Sequence, residues 1–90
     1  MNNDNADRPC LISIAERELA AFMSAVSELY GPVQASMAAD DWIHAFESAG
    51  EPFEFTSVEC RKITIVAASR LATRLLASGY KTTRLKEALP

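Results

Sequence analysis

The single histidine of the chain lies among carboxylates on a predicted helix. Asp40 and Asp41 precede His44 by four and three residues, and Glu47 follows it by three. At 3.6 residues per turn these side chains lie near one another, and imidazole with carboxylates can bind a divalent cation. A protein site normally takes further ligands from a second element, and the chain has no second histidine. We therefore interpret the cluster as a solvated face and predict no metal and no cofactor.

Nucleophilic catalysis has no support in the sequence. His44 has no evident nucleophile or orienting partner elsewhere in the chain. Cys60 lies in the first turn of a predicted helix, where a thiol pKa can be lowered, but a small buried hydrophobe is the commoner role. Cys10 and Cys60 are too few for a disulfide framework. We predict a non-enzymatic protein, and we expect it in the cytoplasm because neither a leader nor a membrane span is recognisable.

Basic side chains are concentrated in the last third of the chain. Residues 1–60 carry eleven acidic and two basic side chains, a net charge of −9, whereas residues 61–90 carry seven basic and one acidic, a net charge of +6. The favoured interpretation is that the acidic part packs against the basic part or against a partner subunit. The alternative is a basic face for nucleic acid, although the acidic remainder would repel phosphates. The residues of this alternative are Arg70, Arg74, Lys81, Arg84 and Lys86.

A long apolar helix, predicted between Thr56 and Gly79, must position most of the basic side chains of residues 61–90. Thr56 and Glu59 form a T-x-x-E capping box, and Phe55 and Cys60 occupy the two positions of a hydrophobic staple. Gly79 suits the left-handed residue that follows a helix. The helix would be about 33 Å long and apolar around most of its circumference, which predicts neighbours on several sides.

A second predicted helix precedes it near the start of the ordered chain. Ser13 and Glu16 form another capping box, and the helix runs to about Tyr30. Its apolar residues recur at alternating spacings of four and three, which is a heptad seam. This pattern predicts a face that packs against another helix.

A third and a fourth helix complete the prediction. Gly31-Pro32 closes the helix that ends near Tyr30 and opens the next one. That helix runs from Val33 to Ala49, with a bend or break around Asp40-Asp41. After Gly79, Thr82 or Thr83 can cap one or two helical turns that must dock on the core to persist. The sequence thus predicts an all-α fold, a small helical bundle of three main helices plus a short C-terminal helix. Residues 11–90 form its single domain, after a disordered N-terminal arm at residues 1–10.

The predicted helices have more apolar surface than a chain of this length can cover. Helices that are apolar on more than one face lie at the centre of a bundle or associate with another chain. We predict a small regulatory or adaptor protein that acts through protein–protein interaction, as a homodimer, with a further partner of unknown identity. The alternative is a small DNA-associated transcriptional regulator. The predicted interface residues are Leu19, Phe22, Val26, Leu29, Ile65, Ala72 and Leu76.

Overall fold

Four helices account for nearly all of the chain that the computed structural model describes, which is residues 11–50 and 55–89. They are α1 (Leu11–Tyr30), α2 (Pro32–Ser48), α3 (Ser57–Ala77) and α4 (Thr83–Ala88). Helix α2 packs against α1 and α3, and α4 packs against α1 and α3. The predicted all-α architecture of three main helices and a short C-terminal helix is confirmed. The predicted arm at residues 1–10 and most of the connector before α3 lie outside the described residues.

Helix α3 begins and ends where its local signals predict. The backbone N–H of Thr56 donates to Glu59 Oε1 at 2.9 Å, and that of Glu59 donates to Thr56 Oγ1 at 3.1 Å. The predicted capping box is therefore confirmed. At the other end Gly79 has φ +92°, and the N–H of Tyr80 donates to the Leu75 carbonyl at 2.9 Å. This six-residue closure, with a left-handed glycine, satisfies carbonyls that the helix end would leave unpaired.

Two predictions about helix boundaries are wrong. Helix α1 begins at Leu11, so Ser13 is its third residue and does not precede the helix as a cap. Helix α2 continues through Asp40-Asp41, so of the predicted bend or break the break is wrong. Asp41 could cap a helix, but it is buried and bonded to Arg74 of α3, so its carboxylate is used by packing between helices. The predicted role of Pro32 as the first residue of α2 is confirmed.

The core lies between the three long helices, with α4 closing one side. Helix α3 contributes the largest share, because seven of its residues are buried along one side. Leu85 is fully buried and anchors the short α4, as the sequence predicts for a segment too short to persist alone. The largest fully buried side chains are Phe22, Val26, Cys60, Leu71, Leu75 and Leu85.

A buried hydrogen-bond chain joins α2 to α3. Trp42 Nε1 donates to Thr64 Oγ1 at 2.9 Å, and Thr64 Oγ1 donates to the carbonyl of Cys60 at 2.9 Å. The indole ring also stacks on Phe46, whose ring contacts Phe55 at the start of α3. A buried indole N–H without a hydrogen-bond partner is energetically unfavourable. The hydrogen bond from Trp42 to Thr64 therefore fixes the position of α2 along the axis of α3.

A polar aromatic cluster holds the turn between α3 and α4 against the junction of α1 and α2. The hydroxyl of Tyr30 donates to the carbonyl of Lys81, and Gln34 Nε2 donates to the hydroxyl of Tyr80 at 3.0 Å. The two tyrosine rings meet edge to face, with centroids 5.5 Å apart. These contacts position α4 beside α3. None of the described helices combines the length and apolar content of a membrane span.

Candidate protein interface

Helix α3 has a second apolar side that points away from the core. Val58, Ile65, Val66 and Leu76 are each more than half exposed. Ile65 lies 7 residues after Val58 and Leu76 lies 18 residues after it, so all three fall on one side of the helix. We name this side the α3 stripe, which consists of Val58, Lys62, Ile65, Ser69, Ala72 and Leu76, spaced alternately by four and three residues. That spacing is typical of a seam between two packed helices.

Open grooves run along both flanks of the α3 stripe. The groove between α3 and α4 has a volume of about 270 Å³, and its walls include Ile65, Ala72 and Leu89. The groove between α2 and α3 is larger, about 670 Å³, with an apolar wall at Val66 and two cations, Lys62 and Arg70. The stripe is therefore a ridge between two largely apolar grooves. Lys86 lines the smaller groove, and Glu59 lines the larger one together with the two cations.

Helix α2 also has an exposed side with apolar residues. Val33 is 68% exposed and Ile43 is 44% exposed. Between and beyond them lie exposed acidic residues, Asp40 and Glu47. We name this side the α2 stripe, which consists of Val33, Ser36, Asp40, Ile43 and Glu47, spaced alternately by three and four residues. The two stripes share one spacing and carry opposite charge.

The seven residues predicted from sequence as an interface are divided by the structure. Phe22 and Val26 are fully buried inside the core of one chain, so a second chain cannot contact them. Leu19 and Leu29 are half-buried and pack against the same core. We therefore remove the α1 residues from the interface hypothesis. Its three α3 residues, Ile65, Ala72 and Leu76, all lie on the α3 stripe.

The exposed apolar residues Val33, Ile43, Val58 and Val66 were missed by sequence reasoning. Each lies on the side of its helix opposite the buried positions. The signal was present as apolar residues out of phase with the core pattern, and it becomes visible once the core side of each helix is known.

One ion pair joins the acidic and basic parts of the chain within the described residues. Arg74 Nη1 lies 2.6 Å from Asp41 Oδ1. The Asp41 side chain is 7% exposed and that of Arg74 44% exposed, so water reaches the guanidinium but hardly the carboxylate. Asp41 Oδ2 has no hydrogen-bond partner among the residues the structure describes. The predicted packing of the acidic part against the basic part is thus represented, within the described residues, by a single ion pair.

The residues of the nucleic-acid alternative are exposed but do not form a recognition helix. Arg70 and Arg74 lie on α3, Lys81 lies in the turn, and Arg84 and Lys86 lie on α4. Helix α4 has six residues and is held by a buried leucine. A helix that reads bases places several side chains in the major groove, which asks for a longer helix with a free outer side.

The candidate chemical residues are placed apart from one another. His44 is exposed, whereas Asp41 of the same cluster turns inward to Arg74. No group of three or more histidine, cysteine, aspartate or glutamate residues in the described part of the chain is arranged to hold a metal ion. Cys60 is a buried free thiol, and burial raises its pKa above the usual value, with Glu18 and Glu59 adding to the rise. A raised pKa keeps the thiol protonated and poorly nucleophilic.

The assignment of function has to be made from the surfaces of the chain itself. Those surfaces are the α3 stripe with its grooves and the acidic α2 stripe. Comparison of the chain with protein-family models, curated proteins and solved structures finds no match.

Proposed function

We propose that this chain is a small non-enzymatic regulatory or adaptor protein that acts through protein–protein interaction, as a homodimer. The observation that supports the proposal is the exposure of Val58, Ile65, Val66 and Leu76 on the outward side of one helix. Apolar surface left in water is unfavourable by roughly 25 cal/mol per Å². Covering this side with another helix would remove that penalty.

The arrangement of these residues matters more than their number. Single exposed apolar residues are common on protein surfaces and need no explanation. Here, however, they recur over 18 residues of a helix, a length of about 27 Å. Small residues between them, Ser69 and Ala72, leave space for the side chains of a second helix. Such a surface fits recognition of a partner helix packed against α3. We propose that the protein is located in the cytoplasm.

Substituting aspartate for two apolar residues of the α3 stripe tests the proposal. At about 50 µM we expect the wild-type chain to have the mass of a dimer in size-exclusion chromatography with light scattering. The double variant Ile65→Asp with Leu76→Asp should have the mass of a monomer, because a buried carboxylate is strongly unfavourable. Both positions are exposed in the single chain, so its helical circular dichroism should not change.

A matched control introduces the same charges elsewhere. Ala21→Asp with Ser24→Asp places two carboxylates on the exposed side of α1, and this variant should remain dimeric. A wild-type monomer at this concentration would refute the homodimer. A dimeric Ile65→Asp with Leu76→Asp variant would show that the α3 stripe is not the interface.

DNA-associated regulation is the alternative proposal, supported by the exposure of all five basic side chains named for it. Binding to duplex DNA through several cations weakens linearly with the logarithm of salt concentration. The triple variant Lys81→Ala, Arg84→Ala, Lys86→Ala should then reduce that slope, whereas Ile65→Asp with Leu76→Asp should not. Absence of duplex binding at 50 mM salt would exclude this alternative.

A further inference from the structure

The basic residues beside the α3 stripe lack an acidic partner in the described part of their own chain. Lys62 and Arg70 both border the groove between α2 and α3 and are exposed. Glu59 lines the same groove, but its carboxylate accepts from the N–H of Thr56 in the cap of α3 and forms no ion pair with a described residue. Arg74, four residues further along, is the residue of α3 that forms an ion pair with another described residue. A surface that combines apolar residues with unneutralised cations fits an occupant that is apolar and acidic.

The α2 stripe has that composition. Its apolar residues, Val33 and Ile43, are exposed and alternate along the helix with the exposed Asp40 and Glu47. These carboxylates form no ion pair with a described residue. Every copy of the chain therefore presents both an acidic apolar stripe and a basic apolar stripe.

We propose that the α2 stripe of one chain packs antiparallel against the α3 stripe of a second copy. This inference rests on the homodimer of the proposed function and specifies its contact. Val33 then lies opposite Leu76, and Ile43 lies opposite Ile65. Asp40 lies opposite Arg70, and Glu47 lies opposite Lys62.

The register of this contact is consistent along its whole length. In an antiparallel pair, facing residues have position numbers with a constant sum, and the four sums lie between 108 and 110, a spread of two residues or about 3 Å along a helix. A parallel arrangement that aligns Val33 with Val58 places Asp40 against Ile65, an acid against an apolar residue. A contact between two α3 stripes leaves Lys62 without an acid opposite it, because the stripe contains no acidic residue. The antiparallel contact pairs both apolar residues of the α2 stripe with apolar residues of α3 and both of its acids with bases.

The same register permits a closed dimer. Within one chain, the hydrogen bond between Trp42 and Thr64 places these residues at the same level of α2 and α3. Between chains, the contact places Ile43 opposite Ile65, which is about 3 Å from that level. A twofold axis parallel to the helices keeps each residue at its level, and a dimer in which both stripes face that axis makes the contact twice, once from each chain. Closed twofold dimers are the commonest homo-oligomers.

Two complementary charge-reversal variants test the contact. The acidic variant carries Lys62→Glu and Arg70→Glu, and the basic variant carries Asp40→Lys and Glu47→Lys. Each alone would face like charges at both contacts, and we expect its self-association Kd, measured by sedimentation, to rise at least about 100-fold. Mixed in equal amounts, the two variants face opposite charges at both contacts. The mixture should form a heterodimer with a Kd within about tenfold of the wild type.

The control variant makes the same change in net charge outside both grooves that flank the α3 stripe. Arg17→Glu on α1 with Arg84→Glu on α4 should change the Kd by less than about threefold, and circular dichroism should show unchanged helix content in all variants. Dimers formed by each variant alone, or a mixture that does not associate, would overturn the contact while leaving the homodimer intact. A wild-type chain that is monomeric would refute the homodimer of the proposed function, and the contact with it.

Discussion

Asp41 shows at the scale of one residue how a polar group is held inside this small core. Its side chain is 7% exposed, yet it forms one hydrogen bond, to Arg74 Nη1 at 2.6 Å. Burial of a carboxylate is unfavourable unless a charged partner lies close, so the arginine compensates for a penalty that the fold has already incurred. The pair therefore contributes mainly by preventing an isolated buried charge.

Removing the arginine should expose that penalty. We expect Arg74→Met, which keeps most of the apolar stem, to lower the free energy of unfolding by about 2 kcal/mol. This is less than the 3–5 kcal/mol typical of a fully buried pair, because water reaches Arg74, which is 44% exposed. Urea unfolding followed by circular dichroism measures the change.

A matched control and a double variant separate the ion pair from other effects. Arg61→Met, on the exposed surface of the same helix, should change the stability by no more than about 0.5 kcal/mol. Adding Asp41→Asn to Arg74→Met should recover part of the loss, since the neutral amide carries no buried charge. Additive effects of the two substitutions would mean that the pair is not coupled in the folded protein.

The sequence could not predict this role of Asp41. From local pattern it is a helix N-cap, and on that ground the sequence predicts a bend or break in α2 at Asp40-Asp41. The residue that pairs with Asp41 and holds its side chain in the core, Arg74, is 33 residues away in sequence. Which of the four cations of α3 would meet an acid depends on how α2 lies across it, and no local signal contains that information.

At the scale of the element, α3 is well predicted at its ends and less well along its sides. Its capping box joins Thr56 to Glu59, three residues apart, so the geometry is decided within one helical turn. The left-handed Gly79 is similarly local. The sides of the helix differ because their neighbours come from other parts of the chain.

The cap of α3 should make a measurable contribution to stability. Thr56→Ala removes the hydroxyl that accepts from the N–H of Glu59, and we expect a loss of about 1 kcal/mol in the free energy of unfolding. Ser57→Ala, one residue later, provides the control because Ser57 is exposed at the first helical position. Thermal or urea unfolding at one protein concentration measures both. An equal effect of the two substitutions would show that the capping box does not stabilise the helix.

The heptad seam of α1 shows what a periodic pattern leaves open. The spacing correctly indicates an apolar side, and Phe22 and Val26 of that side are fully buried. Whether the same chain or a second chain covers the side cannot be read from spacing alone, and here α2 and the other helices of the same chain do so. The α3 stripe is the remaining apolar side once the core is complete.

The charges of the whole molecule are divided between its two halves. Described residues 11–50 carry six acidic and one basic side chain, and residues 55–89 carry seven basic and two acidic. One ion pair across this division, between Asp41 and Arg74, neutralises little of it. A second copy of the chain, turned so that unlike halves meet, would neutralise both surfaces at once, as the proposed contact of α2 with α3 requires.

Association of this kind makes stability depend on protein concentration, and that dependence is the prediction for the whole molecule. When a dimer unfolds to two monomers, a tenfold rise in concentration stabilises the folded state by about 1.4 kcal/mol per dimer. For two chains of this size the Tm should rise by roughly 4 °C. Differential scanning calorimetry between 10 and 500 µM covers the range.

The variant Lys62→Glu with Arg70→Glu supplies the comparison, because it should remain monomeric while retaining its core. Its Tm should be the same at every concentration, and at the lowest concentration the wild-type Tm should approach it. Arg17→Glu with Arg84→Glu, both outside the grooves that flank the α3 stripe, should keep the wild-type dependence. A wild-type Tm that does not change with concentration would mean that folding is complete in the single chain and that the α3 stripe stays open to a different partner.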